Sequence, residues 1–121
     1  MNIGFIGNIE TLTLNNTNFR KVLFTGKHCQ LVVMSLKPLE DIGLEVHKHV
    51  DQFFRIEKGH GVVVMNDKKY KFKNGFSFVI PAGMKHNVIN TSKTVPLKLY
   101  TVYSPPQHKP LTVNKTKPLH D

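Results

Sequence analysis

Residues 75–90, GFSFVIPAGMKHNVIN, constrain the chain more tightly than any other stretch, because Gly75, Pro81, Gly83, His86 and Asn90 sit at spacings a structure would demand. Read as a strand, Phe76, Phe78 and Ile80 share one face, with Ser77 and Val79 on the other. Pro81 ends that ladder. Pro-Ala-Gly then supplies a tight turn, since proline presets φ and glycine tolerates positive φ. A second strand starts near Lys85, with His86 and Val88 on one face: an imidazole at the mouth of a closed sheet and an aliphatic group deeper inside.

The pattern G-x5-P-x-G-x2-H-x3-N in this stretch resembles the second conserved motif of the cupin superfamily, with every fixed position filled. Standing alone, His86 would be read as an incidental strand histidine. The surrounding pattern reverses that reading. The resemblance extends over about residues 19–104, where VDQFFRIEKGHG and LKLYTVYSPP look like a subgroup of small single-domain cupins similar to the cupin part of mannose-6-phosphate isomerases. It implies an all-β, double-stranded β-helix (jelly-roll barrel) and a divalent metal ion of the Fe, Mn, Ni or Zn type. It also implies pairing into a homodimer through edge strands.

If the resemblance holds, an earlier motif of the form G-x5-H-x-H-x3 or 4-E-x6-G supplies the other ligands. His47-Lys48-His49 is the obvious candidate, but counting back from Gly59 puts the acidic position at Gln52, only two residues beyond His49. A register shifted by two restores the spacing, with Glu45 and His47 at the histidine positions and Gln52 at the acidic one. A loop over 48–51 would also set His47 opposite Gln52 on an antiparallel hairpin, about 4.5–5.5 Å apart at Cβ. Pairing His49 with Gln52 would instead need Val50 in a two-residue turn, which a β-branched residue resists. The shifted register is preferred.

Three positions depart from the motif: Leu39 replaces glycine, Glu45 replaces histidine and Gln52 replaces glutamate. The resulting metal set is His47, Gln52, His86 and Glu45. Two imidazoles and a carboxylate suit Fe(II) or another octahedral divalent ion better than a structural zinc. The plainer readings are a solvent-facing carboxylate for Glu45 and a loop residue for His49. No role falls to His28, His60, His108 or His120.

Length and charge bound the remaining possibilities. At 121 residues the chain fits one domain, and 40% hydrophobic residues can furnish a core. No apolar run approaches the roughly 20 residues of a membrane helix, and MNIGFIGNIE lacks the features of a signal peptide. The expectation is an intracellular protein, cytoplasmic and off the membrane. A lone Cys29 agrees with a reducing compartment. The net charge of +9 raises the question of nucleic acid. The lysines are scattered, however, and Lys69, Lys71 and Lys73 alternate with Tyr70 and Phe72 as on any half-buried strand, which argues against such a partner.

Along the chain, short strands recur about every ten residues and no segment carries a sustained 3.6 period. Strands are expected at 20–24, 29–36, 44–47, 52–57, 62–65, 69–72, 76–80, 85–90 and 97–103, with a hairpin connection at 66–68. Residues 1–104 form the barrel, with apolar pieces at 3–6 and 12–14 as an N-terminal edge strand. Residues 105–121, holding four prolines, form an extended tail on the surface or on a partner subunit.

Two functions compete. In the first, a metal-dependent isomerase, epimerase or oxygenase acts on a small polar substrate such as a sugar derivative. The ion serves as a Lewis acid and His49 or a water moves the proton. Phe54, Ile56, Phe76, Phe78, Val88 and Leu99 wall the pocket, and Arg20, Arg55 or a lysine holds an anionic group at the rim. In the second, the same barrel captures a sugar or other small ligand without turnover, a reading the Glu45 and Gln52 replacements favour.

Overall fold

A computed structural model describes residues 3–119. One short helix, α1 (Ile9–Asn15), precedes nine strands: β1 (Arg20–Thr25), β2 (Gln30–Leu36), β3 (Asp51–Lys58), β4 (His60–Met65), β5 (Lys68–Lys73), β6 (Ser77–Ile80), β7 (His86–Asn90), β8 (Leu97–Ser104) and β9 (Val113–Asn114). They form two antiparallel sheets, one ordered β6-β3-β8-β2-β1-β9 and one ordered β5-β4-β7. This is the expected double-stranded β-helix.

Strand alternation places the core between the sheets. Gln52, Phe54 and Ile56 of β3 are buried, as are His86, Val88 and Asn90 of β7 and Leu99, Thr101 and Tyr103 of β8. With Val32, Met34, Leu36, Val63 and Phe72, the apolar members of these rows make one core cluster. Each such side chain contributes about 1.5–3 kcal/mol on full burial. On β3, β7 and β8 the inward residue at one end is polar and those deeper are mostly apolar, so the interior grades from a polar mouth to a hydrocarbon floor.

Three expectations are corrected. Residues 12–14 belong to α1 rather than an edge strand. The Asn8 side chain caps this helix at the Thr11 amide, and the Thr13 hydroxyl bonds back to the Ile9 carbonyl. Lys98, buried on the outer face of β8, donates to the Asn16 carbonyl just past the helix end, and burial pushes its ammonium below the usual lysine range.

The expected hairpin between 44–47 and β3 is also absent. Residues 39–47 run instead beside β7, through Leu39 N to Ser92 O (3.0 Å), Asn90 N to Glu40 O (2.9 Å), Ile42 N to Val88 O (3.0 Å) and a reciprocal pair between Glu45 and His86 (2.9 Å each). The chain then changes sheets across Lys48–Val50, with Val50 buried at the crossing. Hairpin geometry assumes that both arms stay in one sheet, and here they do not.

Arg20 is buried rather than at a rim, its Nη1 donating to Asn114 Oδ1 at 3.0 Å. Arg55 pairs with Glu57 at 3.2 Å. The tail folds onto its own barrel. Buried Gln30 accepts from the amides of Gln107 (3.1 Å) and His108 (2.9 Å) and donates to the His108 carbonyl (2.7 Å), while β9 pairs with β1. Lys117 closes the tail with an ion pair to Asp41.

Candidate metal centre

The Pro81-Ala82-Gly83 turn organises the site. Met84 N bonds to Pro81 O (3.2 Å), Ala82 N donates to the Asp51 carboxylate (2.8 Å) and Gly83 N donates to the His47 carbonyl (2.8 Å). Gly83 lies at φ 86°, which a side chain would strain. One turn therefore launches β7 with His86 as its first residue and pins the main chain of His47 beside it. Leu39, standing where the motif has glycine, keeps the left-handed conformation at φ 65° with its side chain 62% exposed.

Glu45, His47 and His86 converge, each offering a ligand atom within 4.8 Å of the others. The two imidazole rings lie 5.4 Å apart between centroids, and Glu45 Oε1 is 3.6 Å from His47 Nε2. Donors on a shared ion at about 2.1 Å sit about 3–4 Å apart, so small inward shifts suffice. His86 is 1% exposed and its Nδ1 faces the Met84 carbonyl at 3.0 Å. A carbonyl only accepts, so the proton resides on Nδ1 and Nε2 presents a lone pair. Burial pushes this imidazole below its ordinary pKa and keeps it neutral, against the opposing pull of the Met84 carbonyl and Glu45.

Gln52 is oriented by a similar chain. Its Nε2 donates to Thr101 Oγ1 (3.0 Å), and that hydroxyl donates to the Phe53 carbonyl (2.8 Å). The amide oxygen is thereby turned inward. Gln52 Oε1, His47 Nε2 and His86 Nε2 are all buried without a hydrogen-bond partner. Buried polar atoms without a partner are costly unless a ligand or solvent meets them. A cation explains them, so the donor set fits a divalent ion. Gln52 pairs across the ladder with Tyr103, whose ring meets His47 edge-on at 6.0 Å.

Of the other expected site residues, Phe54, Ile56, Val88 and Leu99 lie in the core. Phe78 stacks on Phe54 at 4.9 Å. Phe76 departs from the expected inner wall: it is 46% exposed and lies at a rim between the sheets. His49 is exposed on the turn after His47 and is not part of the three-residue cluster. Tyr103 and His108 were missed. Tyr103 Oη lies 3.2 Å from His108 Nε2, and the two rings meet edge-on. The inward parity of Leu99 and Thr101 could have flagged Tyr103; nothing in the tail's spacing marks His108.

A double-stranded β-helix with two histidines and a glutamate gathered at one place defines a barrel of the jelly-roll class with a candidate metal site. The chain belongs to the cupin family: residues 32–103 match the family's cupin domain model. It is 50% identical over 119 residues to the uncharacterized protein YrkC of Bacillus subtilis (strain 168), covering 93% of this chain and 63% of that protein. It is 44% identical over 117 residues to the uncharacterized protein L612 of Acanthamoeba polyphaga mimivirus, covering 94% and 73%. The chain thus spans less than two thirds of the length of the Bacillus subtilis relative. The crystal structure of BH2720 from Bacillus halodurans superposes with a TM-score of 0.90 at 46% identity, covering 93% of this chain and 89% of that one. Among the described residues no helix is long and apolar enough to cross a membrane.

Proposed function

We propose that this cupin holds one divalent cation through Glu45, His47 and His86, with Gln52 Oε1 as a further donor, and acts on a small molecule that offers an oxygen to the ion. The observation that carries the reading is the convergence of Glu45, His47 and His86, together with the buried, unpartnered polar atoms on His47, His86 and Gln52. Bound there, an Fe, Mn, Ni or Zn ion would supply Lewis acidity toward a carbonyl or hydroxyl oxygen, the requirement of an isomerase or epimerase, and iron would also suit an oxygenase.

The chain's own groups do the rest. The Met84 carbonyl holds the His86 tautomer, and Thr101 holds the Gln52 amide oxygen inward. Core residues Phe54, Val88 and Leu99 keep water from the barrel floor. Tyr103, hydrogen-bonded to His108 and packed on His47, is the hydroxyl placed to hold a proton beside the site. His49 is the alternative proton carrier, on the turn just past His47. The second reading, a cupin that binds its ligand without turnover, is favoured by the neutral Gln52 where the motif has a carboxylate.

Elemental analysis of protein purified without added metal, repeated on His47→Ala and His86→Ala, tests the proposal. Near-stoichiometric metal that disappears in both variants supports the site. A metal-free chain that takes up no Fe(II), Mn(II), Ni(II) or Zn(II) on titration supports the binding module instead. An intracellular homodimer completes the proposal, and gel filtration at the 13.8 kDa mass of one chain would count against the pairing.

A further inference from the structure

β5 and β6 are the end strands of different sheets, and the two do not pair. Between them opens a cleft of about 340 Å³, walled by Val63, Met65, Tyr70, Phe72, Phe76 and Phe78. Val63, Met65, Phe72 and Phe78 belong to the barrel core or pack against it, so the cleft reaches side chains of the core itself. Phe72 and Phe78 lie 5.5 Å apart with rings tilted 38°, leaving an aromatic wall. Tyr70 and Phe76 stand 48% and 46% exposed at its edge, an expense for two large rings that barrel packing does not explain.

Through Met65 the cleft adjoins the strand row that carries His86. Met65 pairs directly with His86 across the β4/β7 ladder, so the two side chains share one face, about 4.5–5.5 Å apart at Cβ. On the other side of Met65 its partner is Lys68, whose side chain falls on that same face. The row Lys68, Met65, His86 thus carries a cation, an apolar contact and a metal ligand in sequence. Lys71 lines the cleft as well. A sugar finds few polar partners in these walls. An apolar ring finds many, and an anionic head finds Lys68.

We infer that the ligand of this barrel is a small amphipathic carboxylate, its planar apolar body lodged between β5 and β6 and its carboxylate directed along the Lys68–Met65–His86 row. This rests on the proposed metal centre for the destination of the carboxylate, whereas the cleft and its lysines stand without it.

The test uses the full metal-free chain, labelled with nitrogen-15 and titrated with 4-phenylbutyrate and, separately, glucose 6-phosphate. The aryl acid is expected to shift the amides of Val63, Met65, Tyr70 and Phe78, with glucose 6-phosphate leaving them in place. Tyr70→Ala and Phe76→Ala, both at exposed positions that leave the fold intact, should each raise the dissociation constant about tenfold. Lys68→Glu should weaken the aryl acid and leave binding of the neutral 4-phenylbutanol unchanged. Shifts produced only by glucose 6-phosphate, or aryl acid binding indifferent to both aromatic variants, would overturn the inference. The His86→Ala chain separates the two readings: loss of metal with retention of 4-phenylbutyrate leaves the cleft standing, and metal uptake by a wild-type chain that ignores the aryl acid removes the cleft alone.

Discussion

Replacing Gln52 by glutamate restores the carboxylate that the cupin motif carries at this position, and the surrounding hydrogen bonds allow its cost to be worked out. In the native chain Gln52 Nε2 donates to Thr101 Oγ1, which spends its one proton on the Phe53 carbonyl. A carboxylate has no proton to donate. Either two acceptors then face each other at about the same 3.0 Å, or Thr101 turns and abandons Phe53. The lost or unsatisfied bond costs about 1–3 kcal/mol. With Gln52 only 2% exposed, the uncompensated buried charge brings the expected destabilisation of the metal-free variant to about 3–5 kcal/mol at neutral pH.

The pH dependence of that deficit has a definite sign. Burial raises the new carboxyl's folded-state pKa above its unfolded value of about 4.3. The variant's stability relative to wild type is therefore greatest below that unfolded value, and the deficit opens as pH rises through the folded pKa. A divalent ion reverses the penalty by giving the charge a partner, so Gln52→Glu should bind metal at least about tenfold more tightly than wild type. Urea unfolding with chelator and with saturating Zn(II), at several pH values, measures both halves. A metal-free variant within about 1 kcal/mol of wild type at pH 7.5, or one whose metal affinity falls, would refute the reasoning.

Three further outcomes are expected. Asn90→Asp keeps shape but turns the group that donates to Leu36 O, Lys37 O and Val95 O into an acceptor facing three carbonyls, so urea denaturation should show a loss of about 3 kcal/mol or more. In the metal-free chain, His86 is held below its ordinary pKa, so the stability it contributes is complete above the unfolded value of 6.5 and declines as pH falls from there toward its folded pKa; His86→Gln should flatten that limb in thermal melts. Leu39→Gly should raise stability by about 0.5–1 kcal/mol, because it relieves a left-handed backbone at φ 65° while removing a mostly exposed side chain, and a decrease in urea midpoint would contradict this.

The second motif was legible because each of its fixed residues answers a local demand. Pro81 and Gly83 make a turn, and the Asn90 amide ties together the carbonyls of Leu36, Lys37 and Val95. Period-two alternation likewise marked β3, β7 and β8, whose inward rows carry Gln52, His86 and the core. Helix α1 escaped notice because seven residues, two of them threonine, are too few for a 3.6 period to emerge. The placement of Glu45 and His47 beside β7 was hidden for a different reason. Spacing counts residues along one chain, whereas the crossing at Lys48–Val50 moves that chain from one sheet to the other.

The same distinction separates the metal centre from the cleft. Glu45, His47, Gln52 and His86 lie in two short motifs, so a register argument could single them out, and the fold brings Glu45, His47 and His86 together. Which strands end their sheets depends instead on how the chain passes from one sheet to the other, and no segment carries that information by itself. Phe76 shows the consequence: parity places it with Phe78 and Ile80 on the inner face, yet Gly75 turns at φ 91° immediately before it and β6 begins only at Ser77. Its ring is left half in solvent at the gap between β5 and β6. The sequence-level expectation of a sugar-like substrate came from the family resemblance alone. The cleft walls are made by Tyr70, Phe72, Phe76 and Phe78, and their chemistry becomes readable only once the two unpaired edges are known.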